Sequence, residues 1–476
     1  MNKTDKSRSS TRRSFLKAAA LAVAAPGTLD CNTNAASLEG SFIRVRRNPG
    51  SSGWKYYRVR TAAANFPALP NEKEIVSSIY GGNLSVVRNA TGTFRTENID
   101  GRWWLIDPNG HPFLSSGINS VSPQAGKQLG KTVAGLGDAA WSAETVKMLK
   151  SKGINTAGYW SKSGRSKEPV PHAGMAYVFY DFGKRGDARA FDGQHPKGLM
   201  QIFSARVGAK HRNFPVFHPA FADFCEQRCK TVESAKDDPW MLGYFTDNEL
   251  PVPDILQCLE YSIHDPVYGG AAQEARRWRE ARNGAPSDLK ALHAAWTGHV
   301  FDWYYRITTS AIRKYDSKHL QLGSRVFSVE RNYKEVFSAA GRYLDVISIN
   351  PYGVASLSVG ELQQWSEWAG GKPLLIGEFY VRGEDAKTGS QRGAGLTVAT
   401  QEERGLYYQN YVIALLRSRV CVGWHWHRYS DHEDESGALK LAINKGILGA
   451  DLSPYHELLE KMAEMNLRVH QVAARM

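Results

Sequence analysis

Two glutamates at the ends of two apolar runs are the residues best placed to do chemistry. The run Trp240–Thr246 delivers Asp247, Asn248 and Glu249 just before Pro251, and the run Pro373–Gly377 delivers Glu378. Short apolar, aromatic-rich runs read as buried strands, and proline stops the first of them. Three polar side chains at the end of a buried strand are costly unless something uses them. Capping the next helix is the plainer use for Asn248 and Glu249. A pair of carboxylates converging from two strands suits glycoside hydrolysis: one acid protonates the leaving oxygen, while the other carboxylate attacks the sugar carbon or activates water.

The elements that must position this pair alternate between strand and helix. After the turn signal Asp107-Pro-Asn-Gly110, expected strands cover His111–Asn119, Gly153–Trp160, Ala176–Phe182, the Glu249 run, Leu320–Phe327, Leu344–Tyr352, the Glu378 run and Val420–His427. Helices are expected over Trp141–Lys152, Pro219–Ala235, Ala271–Asn283, Phe301–Tyr315, Arg404–Arg417 and Tyr455–Asn466. Residues 184–216 show no periodicity; so long a loop in a compact domain is usually functional or disordered, and it is expected to wall a cleft. The region 251–300 reads as an insertion with helical stretches. Upstream, Ser41–Arg46 and Trp54–Arg60 alternate apolar and basic residues around Asn48-Pro-Gly-Ser-Ser-Gly53, which reads as a hairpin.

Several longer stretches resemble glycoside hydrolase family 50, the β-agarases of the clan A barrels. They are Phe217–Phe221, Asp237–Leu250, His319–Arg325, Gln401–Arg404 and Val422–Tyr429, within about residues 96 to 460. The resemblance implies an α/β fold, a (β/α)8 TIM barrel with a small N-terminal β-containing appendage. That appendage departs from the family, which usually carries a much larger β-sandwich there. It also implies Glu249 as acid/base and Glu378 as nucleophile, with retention of configuration and carboxyls about 5 Å apart. Glu249 should then carry a raised pKa and Glu378 stay ionised. Asn248 fits a hydrogen bond to the sugar 2-hydroxyl, and Tyr352 either donates to Glu378 or is a core tyrosine. Asn119, Trp160, Arg325, His425 and Trp426 complete the expected substrate contacts. Trp426 would be the stacking platform and Trp160 a further wall. Arg325 fits a substrate contact or a structural salt bridge equally well. His425 and His427 share a strand face, but no third metal ligand is evident and the chemistry needs neither metal nor cofactor.

Composition bounds the rest. The 476 residues, 42% hydrophobic and 11% aromatic, suit one large domain. Ser10–Lys17, with Arg12 and Arg13, precedes the apolar stretch Ala18–Ala25 and reads as a twin-arginine export signal. The expected parts are therefore a signal over 1–36, the β-containing region 37–95, the hydrolase domain 96–466 and a tail 467–476. The product would be periplasmic or secreted, with a lipoprotein at Cys31 as the weaker alternative. The apolar stretch is too short to span a bilayer. Five cysteines, Cys31, Cys225, Cys229, Cys258 and Cys421, form neither a disulfide framework nor a zinc spacing. The formal charge is +13, and no basic run interleaved with aromatics suggests nucleic acid. A basic hydrolase suits an anionic, sulfated polysaccharide, and ordinary solubility accounts for the charge as well. The expected partner is a polysaccharide or oligosaccharide. The expected reaction is cleavage of a β-linked, agarose-type galactan. The alternatives are a β-galactosidase of other, sulfated galacto-oligosaccharides and an inactive barrel that binds polysaccharide.

Overall fold

Nine short strands form one parallel sheet, and their C-terminal ends carry the polar residues singled out above. They are β1 (Ser115–Ile118), β2 (Thr156–Ala157), β3 (His172–Ala176), β4 (Met241–Thr246), β5 (Leu320–Gly323), β6 (Val326–Phe327), β7 (Ile347–Asn350), β8 (Leu374–Phe379) and β9 (Cys421–Trp426). The sheet order is β5-β4-β3-β2-β1-β9-β8-β7-β6. Its two edge strands are consecutive in the chain, separated by Ser324 and Arg325. The computed structural model describes residues 41–47, 53–66, 77–121, 137–161, 172–176, 213, 215–282, 288–386, 393–431 and 443–476. The expected signal over 1–36 and nearly all of the loop 184–216 lie outside these residues.

Parallel neighbours need crossover connections, and helices supply them. Gly137–Ser151, Phe221–Cys229, Leu289–Tyr315, Lys334–Tyr343, Val359–Trp368, Gln401–Ser418 and His456–Asn466 alternate with the strands or follow the last. The α/β class of the chain is therefore as expected. None of the described helices is long and apolar enough to cross a membrane. Cys225 and Cys229 are buried free thiols on Phe221–Cys229, packed rather than bridged.

Several boundaries differ from the sequence reading. The fifth strand, expected as Leu320–Phe327, breaks into β5 and β6 because Gly323 and Arg325 adopt positive φ, 78° and 61°. The first splits at Leu114: Pro112–Phe113 pairs antiparallel with Arg102–Ile106, while Ser115–Ile118 joins the parallel sheet. The structure describes a strand at His172–Ala176; of the expected third strand, Ala176–Phe182, the residues after Ala176 lie outside the described ones. The supposed tail contains a helix, Val469–Ala474, with Val469, Val472 and Ala473 buried.

The hairpin near the N-terminus forms as expected, Ser41–Arg46 against Lys55–Val59. It does not stand apart. Ser41–Arg46 also pairs antiparallel with Leu396–Val398, which runs parallel to Val381–Gly383, giving a four-stranded sheet. Leu38–Met476 form one compact unit. Arg44 Nε donates to Glu403 at 2.7 Å, and the Ala62 N–H donates to Gln409 Oε1 at 2.9 Å, tying the hairpin region to Gln401–Ser418.

Backbones approach closely within the parallel sheet. A Cβ on Gly243 of β4 would stand 2.3 Å from the Leu320 carbonyl oxygen of β5. The contact is with backbone, so it cannot be relieved by a rotamer change. Gly243→Ala should cost about 1–3 kcal/mol of stability, read as a lower midpoint in urea unfolding with an unchanged slope; an unchanged midpoint would contradict the close approach.

Candidate active site

Glu378 lies near the end of β8, 3% exposed, and its two oxygens are both engaged. The Arg325 Nη2 donates to Oε1 and the Tyr352 hydroxyl donates to Oε2. Arg325 is itself wholly buried. Its Nε donates to Asn248 Oδ1 at 2.8 Å, and Nη2 also reaches the Gly377 carbonyl at 3.2 Å. The guanidinium sits 4.1 Å from the Tyr159 ring centroid and 4.9 Å from that of Phe245, so cation–π contacts replace water around it. A Cβ at Gly377 would lie 2.7 Å from Asn350 Oδ1 and 3.1 Å from Arg325 Nη1, so a larger residue there would displace those side chains.

Burial alone pushes the Glu378 carboxyl up, but the surrounding donors and positive charge outweigh it and hold the group below its ordinary value. His427 Nδ1 is 3.7 Å from Oε2. Burial pushes that imidazole down to about 3, so it is neutral near pH 7. Arg325 and the Tyr352 hydroxyl therefore carry the effect. The Tyr352 hydroxyl is pushed well above its ordinary value by burial and by the negative charge of Glu378 and Glu249, and so keeps its proton to donate.

Glu249 follows β4 on a backbone with φ of 50°, and Asp247 beside it has φ of 62°. The Glu249 N–H donates to the Ser324 carbonyl at 2.9 Å, and the Asn350 Nδ2 donates to Glu249 Oε1 at 2.9 Å. Asp247 points away into the core, where the Tyr304 hydroxyl donates to it at 2.6 Å. Trp160 (φ 59°) and Arg325 (φ 61°) share the left-handed conformation. Such residues cost free energy unless the surroundings fix them, and they gather at functional sites.

The expected residues divide. Glu378, Tyr352, Arg325 and Asn248 form one chain of hydrogen bonds. Trp160 is 40% exposed, with its ring 5.7 Å from His427 and 5.6 Å from the Arg325 guanidinium, so it walls the same region. Four residues depart from their expected roles as substrate contacts. Arg325 is inaccessible and is the structural salt bridge. Asn119 is wholly buried and donates from Nδ2 to the Gly377 carbonyl at 2.8 Å, bracing the residue before Glu378. His425 is buried beneath the site, its Nε2 2.9 Å from Ser115 Oγ and its ring against Gly117 and Gly158. Burial pushes it down to about 3. Trp426 is not a platform: it points to the opposite face of β9, packs on Phe379, and donates from its indole N–H to the Lys445 carbonyl at 2.8 Å. Adjacent strand residues face opposite ways, so His425 and Trp426 never shared a surface.

Asn350 joins the site with no role in the sequence reading, and His427, weighed there only as a metal ligand, stands beside Glu378. Asn350 and His427 stand at or just beyond strand ends, which was a usable signal. Among the described residues, no group of three or more His, Cys, Asp or Glu is arranged to hold a metal ion. A cleft of about 370 Å³ opens beside Tyr352, lined also by Arg47, Phe327, Ser328, Arg331 and Gly393–Leu396.

The sign of the pH dependence follows from Glu378. Its folded pKa lies below the ordinary 4.5, so its ionisation stabilises the fold fully above that pH and the contribution is lost as pH falls through the lower folded value. Tyr352→Phe removes a donor to the anion and should raise the folded pKa. The acid unfolding midpoint should then move to higher pH, and a Tyr352→Phe protein with an unshifted midpoint would refute the assignment.

No protein-family model matches the chain. Beta-agarase B of Vibrio sp. (strain JT0107) is 24% identical over 484 aligned positions, covering 83% of this chain and 50% of that protein. Beta-agarase A of the same strain is 21% identical, covering 74% and 44%. The chain thus spans about half the length of these curated relatives. Among solved structures, that of BpGH50 superposes with a TM-score of 0.75 at 24% identity, covering 91% of this chain and 95% of that one. An exo-beta-agarase structure gives 0.63 at 21% identity, covering 83% and 67%. The chain shares the fold of these solved structures.

Proposed function

We propose that this chain is a retaining glycoside hydrolase that cleaves β-linked, agarose-type galactans on a (β/α)8 barrel. The observation that carries the reading is the buried Glu378 carboxylate, held ionised by Arg325 and Tyr352, with Glu249 close enough to bear on the same Tyr352 hydroxyl. The barrel reading draws on the two edge strands β5 and β6, which are neighbours in the chain. It also draws on the Ser348 hydroxyl of β7, which donates to the Leu322 carbonyl of β5 at 2.5 Å. The galactan reading draws on the similarity to two β-agarases. Export through the twin-arginine route rests on the sequence pattern around Arg12 and Arg13 alone.

In the first step, Glu249 gives its proton to the glycosidic oxygen while a Glu378 oxygen attacks the anomeric carbon, so the carbon–oxygen bond to the leaving sugar breaks as the ester to Glu378 forms. In the second, Glu249 takes a proton from water, whose oxygen attacks the same carbon and releases Glu378. Arg325 and Tyr352 favour the carboxylate before attack and again as it leaves. Asn248, oriented by Arg325, is placed to meet the 2-hydroxyl. Trp160 offers an apolar face to a sugar ring.

The mature protein should release defined products, read by mass spectrometry, from one of agarose, porphyran, carrageenan or β-galactan oligosaccharides. Glu378→Gln should lower the rate by at least about 10³-fold, and the first product should keep the β configuration by proton NMR. Inversion would discard the nucleophile role of Glu378. Undiminished turnover by the variant would discard the site.

A further inference from the structure

The turn that carries Glu249 departs from the strand it follows. Successive side chains of an extended strand face opposite ways, so Asn248 and Glu249 would stand on different sides. Both nonetheless reach the site: Asn248 Oδ1 accepts from Arg325 Nε at 2.8 Å, and Glu249 Oε1 accepts from Asn350 Nδ2 at 2.9 Å. Left-handed backbone at Asp247 and Glu249, with φ of 62° and 50°, breaks the alternation. For residues other than glycine such backbone costs free energy and lasts only where the surroundings impose it.

One helix supplies the contacts that impose it. Tyr304 and Tyr305, consecutive on Leu289–Tyr315, are both wholly buried. The Tyr304 hydroxyl is shared between the Thr246 carbonyl at 3.0 Å and Asp247 Oδ2 at 2.6 Å, gripping the end of β4 and the first left-handed residue together. The Tyr305 hydroxyl lies 2.8 Å from Ser324 Oγ, and the Ser324 carbonyl accepts from the Glu249 N–H at 2.9 Å. The tyrosines thus bracket the turn, one at its start and the other, through Ser324, at Glu249 itself. Burial, and for Tyr304 the Asp247 charge, push both hydroxyls above their ordinary values, so they keep their protons. Asp247 is 1% exposed. A carboxylate so deep is costly, and stability alone would favour an apolar residue there.

We propose that Tyr304 and Tyr305 are positioning residues for the acid/base: together they fix the turn that aims Glu249 at the glycosidic oxygen. The inference rests on the glycosidase reading, with Glu249 as the acid. Leaving groups separate aim from overall integrity. Phenolate needs a proton from Glu249 as its bond to the anomeric carbon breaks, whereas 2,4-dinitrophenolate departs as a stable anion without one. The probes are phenyl and 2,4-dinitrophenyl β-glycosides of the oligosaccharide that the wild type releases. Glu249→Ala should lose at least about 100-fold in kcat/KM on the phenyl glycoside and far less on the dinitrophenyl one. Tyr304→Phe should show the same split, with at least roughly a tenfold loss on the phenyl glycoside. A general loss of stability would lower both substrates by the same factor. Equal losses in Tyr304→Phe, or no loss on the phenyl glycoside, overturn the positioning role while the Glu249→Ala split keeps the acid. No split in Glu249→Ala discards the acid and this role with it. Where Tyr304→Phe does not fold, Tyr305→Phe, which loosens Ser324 instead, must show the split, and equal losses there overturn the proposal. A wild type that releases neither phenol sinks the hydrolase reading itself.

Discussion

A carboxylate buried this deeply survives as an anion only if a fixed positive charge stands against it, and here that charge is Arg325. Removing two such ions from water is expensive, and their attraction offsets the cost only when the remaining donors are also satisfied. The surroundings meet that condition at Nε and Nη2, while Nη1 is buried without a hydrogen-bond partner. Arg325 reaches Glu378, Asn248 and the Gly377 carbonyl, and Tyr159 and Phe245 flank its planar group. The break between β5 and β6, the left-handed backbone at Arg325 and the missing side chain at Gly377 all serve this one pair.

The same logic orders the layers of the molecule. Inward residues of β9 and its neighbours are small or polar where His425 meets Gly117, Gly158 and Ser115. Outward residues are large aromatics, with Trp424 donating to the Tyr408 hydroxyl at 2.8 Å and Phe379 stacked on Tyr411 at 4.5 Å. Helix Gln401–Ser418 thus grips β8 and β9 from behind. Arg404 on that helix donates to the carbonyls of Val381 and Gly446, joining strand Val381–Gly383 to the segment at Gly446.

Much of this was legible in the sequence because strand-end polar residues are conspicuous beside apolar runs. Glu249, Glu378, Asn248 and Tyr352 all stood out for that reason, and the strand–helix alternation gave the α/β class. Parity was harder. His425 and Trp426 are neighbours in an all-apolar setting, and nothing local says which of the two faces inward; the small residues opposite, on β1 and after β2, decide it. Asn119 and Arg325 were legible as positions but not as roles, since whether a polar side chain meets solvent or a buried carbonyl depends on elements far away in sequence. Of the third strand's expected range only Ala176 is a described residue.

The clasp between Ser41–Arg46 and Leu396–Glu403 has a consequence for how the molecule comes into being. Arg44 meets Glu403 across 359 positions of sequence, and strand Ser41–Arg46 has its second neighbour at Leu396–Val398. During synthesis, the earliest described strand therefore waits with one edge open until most of the polypeptide has left the ribosome. Such distant pairing slows assembly, because the entropy of closing a long loop must be met before the contacts form. The first described strand to be made is among the last to find its full set of partners, and the interval leaves an alternating apolar and basic ribbon exposed; the arginines at 44, 46 and 47 discourage it from joining a stray β-edge in the meantime.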